Sequence, residues 1–289
     1  MEQKNTPPLA THERGSVVIT GCSSGIGLCV AKGLQAKGYK VLACCRNTQQ
    51  QAILSEYFEQ VVVFDLAKSD EVEAGIAQIL TITGGHIYAL FNNAAYGQPG
   101  AVEDLTREVL EQQFATNVFG THQLTCGLLP ALLAQPHARL IQHSSVLGFV
   151  GMGFRGAYNA SKYALEGLTD TLRQELMNTN VQVSLIQPGP VLSHFRKNAL
   201  KALKAHINMA QSRHAATYAL SLQRLQTEGA AVPFTVPPEA VLKRVLHALE
   251  SKNPKVRYPV TQPTYVLGFL KRVLSHRLFD TLVKAASKA

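Results

Sequence analysis

The chain has 289 residues, 46% hydrophobic and 16% charged, with a formal net charge of +9. That balance excludes a disordered or collagen-like protein and allows a full hydrophobic core. The charge is uneven: residues 194–289 carry 16 Lys/Arg against 4 Asp/Glu, which suits either an anionic partner or a solvated helical face.

Residues 1–15 are polar, include Pro7 and Pro8, and lack the apolar stretch of a secretory signal. They are expected to be a flexible segment of a cytoplasmic protein. No apolar run reaches the ~20 residues a spanning helix needs. The five cysteines, Cys22, Cys29, Cys44, Cys45 and Cys126, are odd in number and form no Cys-x-x-Cys pair. They are expected to be reduced, small core residues.

From Ser16 onward, β-branched runs alternate with helix-length amphipathic segments. The first strand, Ser16–Thr20, enters the turn Thr20-Gly21-Cys22-Ser23-Ser24-Gly25-Ile26-Gly27, which opens a helix over Gly25–Lys37. Glycines at 21, 25 and 27 let backbone N–H groups approach a pyrophosphate at the positive end of the helix. The second strand, Lys40–Cys44, is followed by Cys45-Arg46-Asn47 and no acid. An acid there would take the ribose 2′-OH of NAD, whereas a guanidinium matches the 2′-phosphate of NADP. Arg46 therefore favours NADP, with Ser23 and Ser24 as hydroxyl helpers, unless it is only a solvated loop arginine. After a helix over Thr48–Tyr57, the third strand, Val61–Phe64, ends at Asp65, placed to accept from the adenine amino group.

A helix over Ser69–Thr81 and a strand over Ile87–Phe91 follow, the strand leading into Asn92-Asn93-Ala94-Ala95. One long helix is predicted over Asp104–Ala134 and carries Asn117. The fifth strand, Arg139–His143, runs into Ser144-Ser145. A helix over Ala157–Asn178 holds Tyr158 and Lys162, whose i, i+4 spacing puts phenol and ammonium on one face. A nearby cation favours the phenolate and brings a tyrosine closer to the working range of a neutral-pH acid/base. The sixth strand, Val181–Ile186, leads to Pro188-Gly189-Pro190-Val191-Leu192-Ser193. The strands are unbroken apolar runs, so helices should cover both faces of a parallel sheet. The order is that of an α/β, doubly wound, Rossmann-type fold in a single domain over 16–260.

Residues 190–236 form a basic, Ala/Leu-rich helical insertion read as a substrate lid. A helix from Pro238 to Ser251, a short strand over Val256–Tyr258 and a segment opened by Pro263 complete the chain. Residues 261–289 are a basic amphipathic C-terminal extension: Leu267, Leu270, Leu274, Leu278 and Leu282 make one stripe of a helix over Tyr265–Val283, with Lys271, Arg272, Arg277 and Lys284 alongside. The stripe is expected to pack on the lid, on a second subunit in a homodimer, or weakly on an anionic membrane surface. The histidines show no metal-ligand spacing, so no metal is expected. No nucleic-acid module accompanies the basic segment, so no nucleic-acid partner is expected.

Taken together, the glycine turn, Asn92-Asn93-Ala94, Asn117, Ser145, Tyr158-x-x-x-Lys162 and the Pro188-Gly189 motif resemble the short-chain dehydrogenase/reductase family over about residues 16–260. Within it the chain is most similar to the 17β-hydroxysteroid and retinol dehydrogenase branch and to bacterial NADP-dependent aldehyde reductases of that type. The resemblance implies that Tyr158 protonates the carbonyl oxygen and that Ser145 hydrogen-bonds it, with Ser144 as rival. It implies that Lys162 lowers the Tyr158 pKa and holds the nicotinamide ribose, and that Asn117 positions a water linking Lys162 to solvent. Asn92, Ala94, Pro188, Gly189, Val191 and Ser193 would join Gly21, Ser23, Ser24, Gly25, Ile26, Gly27, Arg46 and Asp65 around the cofactor. Ala95 stands where the family has glycine, and Ser193 where threonine is common. The expected activity is NADPH-dependent reduction of an apolar aldehyde or ketone, reversible as alcohol oxidation; the alternative is a non-catalytic NADP-sensing or partner-binding protein. The absence of acids between Leu176 and Thr227 favours an apolar substrate.

Overall fold

The computed structural model describes residues 15–288 apart from 228 and 231. The N-terminal segment expected to be flexible lies, except for Gly15, outside the described residues. Seven strands, β1 (Ser16–Thr20), β2 (Lys40–Cys45), β3 (Gln60–Val63), β4 (Ile87–Asn92), β5 (Ala138–His143), β6 (Val181–Gln187) and β7 (Arg257–Pro259), pair in parallel in the order β3-β2-β1-β4-β5-β6-β7. Side chains alternate between the faces of a strand. Val17, Ile19, Val41, Ala43, Ala89 and Phe91 therefore pack to one side, beneath α1 (Gly25–Ala36) and α9 (Glu239–Glu250). Val18, Leu42, Cys44, Leu90 and Leu140 pack to the other, beneath α3 (Ser69–Thr83) and α5 (Thr121–Leu133). Covering both faces explains why the strands read as continuous apolar runs.

The helix predicted over Thr48–Tyr57 is α2 (Thr48–Leu54), capped by Asn47, whose side chain accepts from Gln50 N. The single helix predicted over Asp104–Ala134 is in fact broken. A 3-10 turn at Val102–Asp104 gives way to α4 (Arg107–Phe114), started by Thr106 as its N-cap. A π-turn over Ala115–Gly120 then joins α4 to α5. The widened turn brings Thr121 Oγ1 to the Thr116 carbonyl, five residues back, at 3.2 Å. Amphipathic spacing of 3.6 and the π spacing differ too little over one turn to be separated by residue pattern.

After α6 (Gly156–Glu175) and β6, the insertion over 190–236 holds α7 (Phe195–His206) and α8 (Ala215–Gln226). Its base is pinched shut where Leu192 N donates to Val236 O and Val236 N to Pro190 O. Its outer end is fastened to the body: Arg213 pairs with Glu103 at 2.5 Å, and Asp104 accepts from Ser212 Oγ at 2.7 Å and Tyr218 Oη at 2.5 Å.

The C-terminal helix predicted over Tyr265–Val283 is two helices, α10 (Gln262–Val273) and α11 (His276–Lys288), separated by an extended Leu274. The leucine stripe is split accordingly. Leu267, Leu270 and Leu274 pack with Val146, Leu147 and Phe149, whereas Leu278 and Leu282 are 58% and 45% exposed and Phe279 and Val283 take the buried face. The break changes the phase of the second helix, which spacing across an unbroken helix cannot register. Among the described residues no helix is long and apolar enough to cross a membrane. Cys22, Cys44 and Cys45 are buried, but Cys126 is exposed on α5, against the core role expected for all five.

Candidate active site

The strand order reverses between β1 and β4, and the crevice at their carboxyl ends is the standard place for a ligand in such a sheet. Here it opens into a cavity of about 950 Å³. Its floor is the turn after β1. Gly21 holds a left-handed φ of +70°, and a Cβ on Gly27 would lie 2.1 Å from Gly21 O, so neither position tolerates a side chain without displacing the turn. Ser24 stands at the N-cap of α1 with no capping hydrogen bond, and Ser23, Ser24, Gly25 and Ile26 line the cavity. A backbone cradle at a helix N-terminus with an uncommitted hydroxyl fits a pyrophosphate.

Arg46 and Asp65, at the ends of β2 and β3, line the same cavity. Arg46 is exposed and makes no ion pair among the described residues. Asp65 Oδ1 accepts from Ala67 N at 2.9 Å, which fixes the carboxylate. Ala94, Pro188, Gly189, Val191 and Ser193 also lie on the wall.

Asn92 does not. As the last residue of β4 it points toward α5, where it is buried and donates to Thr125 Oγ1 at 2.8 Å. Strand alternation gives its place to Asn93, whose Nδ2 donates to Thr20 O and Gly21 O at 2.9 and 3.2 Å and so ties β4 to the glycine turn. Asn93 Oδ1 lies 2.8 Å from His143 Nδ1. Burial and the Lys162 cation push His143 down to about 3, so its imidazole is neutral and donates from Nδ1. Neither His143 nor Thr20 carries a local sequence signal for this role. The adjacency of the two asparagines was the available signal, but only strand phase decides which one faces inward.

Lys162, on α6, is buried and donates to His143 O at 2.6 Å. Burial pulls its ammonium down to about 7, opposed by the Glu166 charge one turn later. Tyr158, one turn earlier, is pushed up to about 12 by burial, against which a hydrogen bond with Ser145 works. Lys162 is thus bonded to a carbonyl, with Nζ 5.8 Å from the Tyr158 ring centroid, and burial outweighs the lowering of the Tyr158 pKa expected from this lysine. A phenol held protonated at neutral pH suits proton donation. Between the rival serines, Ser145 Oγ accepts from Leu147 N at 3.1 Å and faces Tyr158, while Ser144 Oγ is buried beneath Gly148 without a hydrogen-bond partner among the described residues.

Asn117 sits in the π-turn. Its carboxamide accepts from Tyr96 N and donates to Tyr96 O and to Ser161 Oγ. It therefore clamps the segment after β4 onto α6. Ser161 Oγ donates in turn to Tyr158 O at 2.8 Å. The sequence reading also passed over Phe195, the first residue of α7, which packs edge-on against Tyr158 with centroids 5.2 Å apart and so joins the lid to the phenol.

The family model for short chain dehydrogenases matches residues 16–204. The chain is similar to the uncharacterized oxidoreductase YbbO of Escherichia coli K12, at 40% identity over 93% of this chain and 94% of that protein. It is similar to human retinol dehydrogenase 8, at 34% identity over 68% of this chain and 64% of that protein. It is also similar to an NADPH-dependent 3-dehydrocapnine reductase of Ornithobacterium rhinotracheale, at 29% identity over 92% of this chain and 94% of that protein. In fold it is similar to a Burkholderia phymatum short-chain dehydrogenase/reductase crystallised with NAD, with a TM-score of 0.75 and 24% identity over 91% of this chain and 94% of that one. With the expected motifs collected at the switch point of a seven-stranded parallel sheet, the chain belongs to the short-chain dehydrogenase/reductase family of oxidoreductases, acting on CH–OH groups.

Proposed function

We propose that the protein is an NADPH-dependent reductase of apolar aldehydes or ketones, reversible as an alcohol dehydrogenase. The observation that carries this reading is that Tyr158 and Ser145 open on one cavity with the glycine turn at one end and apolar side chains, among them Phe154, Leu203, Leu225 and Leu267, at the other. The bound nicotinamide supplies the hydride. The chain's own part is to hold the carbonyl oxygen between the Ser145 hydroxyl and the Tyr158 phenol and to deliver the phenolic proton as charge develops. Lys162 steadies the electrostatics around that proton, and Asn117 keeps α6 in register with the loop after β4. Preference for NADPH is supported by the unpaired Arg46 guanidinium and by the NADPH dependence of the 3-dehydrocapnine reductase relative. Following NADPH and NADH oxidation by absorbance with medium-chain aldehydes, retinal-like and steroid-like carbonyls tests the reading. Consumption of NADPH dependent on an apolar carbonyl supports it; no turnover of any of the three sets, or equal use of NADH, overturns it.

We further propose that this enzyme works in the cytoplasm against an anionic lipid surface. Tyr265, Phe269 and Val273 form an exposed apolar line along α10, and Leu278 and Leu282 are exposed on α11, with Arg272, Arg277 and Lys284 beside them. Lys271 is not part of that face, because Nζ donates to Phe149 O and to Tyr163 Oη. Sedimentation with anionic vesicles at low and high salt tests this: salt-sensitive pelleting supports it. Protein that stays in the supernatant, or that is a dimer hiding the face, overturns it.

A further inference from the structure

The apolar half of the cavity is not electrically neutral. Arg155, at the start of α6, and Arg196 and Arg224, on the two lid helices, are all half-buried on its wall. Asp65, at the opposite end, is the sole carboxylate residue on the wall among the described residues. A guanidinium has five N–H donors. Arg155 spends one on the Met152 thioether, a weak acceptor, at 2.9 Å, and Arg224 has no hydrogen-bond or ion-pair partner among the described residues. Arg196 is occupied by the carbonyls of Thr227 and Gly229.

Burial and the neighbouring Arg224 pull Arg155 down to about 10, and burial and Arg196 lower Arg224. Three like charges are therefore held close together, partly out of water, with no carboxylate paired to Arg155 or Arg224 among the described residues, an arrangement that costs free energy unless an anion occupies it. The backbone supports the same position: Phe154, directly before Arg155, holds a left-handed φ of +60° and is packed edge-on against His214 and Tyr218. A left-handed non-glycine residue persists only where its surroundings enforce it, and the neighbouring Arg155 lines the cavity.

We propose that Arg155 and Arg224 form an oxyanion site in the substrate half of the cavity, so that the natural substrate is an aliphatic aldehyde or ketone carrying a carboxylate, sulfonate or phosphate away from the reacting carbon. This rests on the reductase reading above and revises its substrate from wholly apolar to an apolar chain with an anionic end. An apolar wall holds the chain while the guanidiniums fix its far end, one from the body and one from the lid, so anion binding also draws the lid onto the substrate.

The test uses the full chain loaded with NADP and compares dodecanoate with dodecanol by calorimetry. Dodecanoate is expected to bind at least about tenfold more tightly, the minimum for a charge-assisted hydrogen bond. Arg224→Gln and Arg155→Gln should each erase most of that preference, Arg224→Lys should retain part of it, and NADP affinity should be unchanged. Equal binding of the two probes by the unaltered protein overturns the proposal. So does a loss of NADP affinity in Arg224→Gln, which would assign the guanidinium to the cofactor phosphates. Turnover separates the two claims. If a medium-chain ω-oxo carboxylate and its methyl ester are reduced with equal KM, the anion site falls and the reductase stands. If neither is reduced while dodecanoate binding still depends on Arg224, the reductase reading falls and the anion site stands.

Discussion

Glu166 lies one turn beyond Lys162 on α6 and is buried, with Oε1 accepting from Gln187 Nε2 at 2.8 Å and Oε2 from Arg257 at 3.3 Å. Its charge is what opposes the burial that pulls Lys162 down to about 7. At the ~6 Å of an i, i+4 pair and an effective dielectric of ~20, the attraction is about 2.8 kcal/mol, or roughly two decades in a proton equilibrium. The Arg257 guanidinium beside Glu166 offsets part of this field, leaving about one decade. Glu166→Gln should therefore lower the Lys162 midpoint by about one pH unit. Lys162 is charged below its pKa, and the charged form favours proton release from Tyr158, so reduction is lost as pH rises through that pKa. The variant should lose kcat/KM at lower pH than the unaltered enzyme. It should match it near pH 5 and fall roughly tenfold below it at pH 8, as expected for a midpoint moved by about one unit. The assay is kcat/KM for carbonyl reduction from pH 5 to pH 9 with saturating NADPH, and the thermal midpoint checks folding. A profile that does not move, or moves upward, refutes the electrostatic account of this pair.

Tyr158→Phe removes the proposed proton donor and should lower kcat by at least ~10²-fold while NADPH still binds, as fluorescence titration would show. Near-normal turnover would mean that another group donates. Ser145→Ala should lower kcat more than it alters cofactor affinity, whereas Ser144→Ala should change neither; steady-state kinetics giving the reverse would exchange the two roles. Arg46→Asp should shift the ratio of kcat/KM for NADPH over NADH by at least ~10-fold toward NADH, since a charge-assisted contact is worth roughly 1.5–3 kcal/mol. An unchanged ratio would make Arg46 a solvated loop residue.

The sheet and most helices were legible because strand and helix periods differ enough for a short run to choose between them, as at Val17–Ile19 and in α1. The breaks were not. The π-turn at Ala115–Gly120 and the extended Leu274 each alter helix phase within one or two residues, too short a span for periodicity to register. Within the site, glycine spacing and Tyr158-x-x-x-Lys162 are local and could be read directly. Asn92 against Asn93 depends on strand phase, and the pairing of Asn93 with His143 joins residues fifty apart in sequence. The lid arginines illustrate the same limit: composition reveals a basic C-terminal third, but only the packing of α7 and α8 separates arginines on the cavity wall from those in solvent.

That division extends to how the site is built. Ser145 stands just after β5, and Tyr158 and Lys162 stand on α6, where hydrogen bonds to Leu147, Ser161 and His143 leave little freedom to move. Of the groups that would select substrate, Leu203, Arg224 and Leu225 stand on α7 and α8, whereas Phe154 and Arg155 stand at the start of α6 and Leu267 on α10. The lid helices reach the body through the pinch at Val191 and Val236, the Phe195 contact with Tyr158, the packing of Phe154 on His214 and Tyr218, the His206–Gln98 hydrogen bond at 2.7 Å, and the Glu103–Asp104 clamp on Arg213, Ser212 and Tyr218. Tyr218 is buried within the clamp and packs with Leu203, Ile207 and Ala101, so the lid helices rest on an apolar cluster of their own as well as on polar contacts. A direct contact between the lid and the candidate catalytic residues is the edge of Phe195 against the Tyr158 ring, so a shift of α7 is expected to be felt at the phenol.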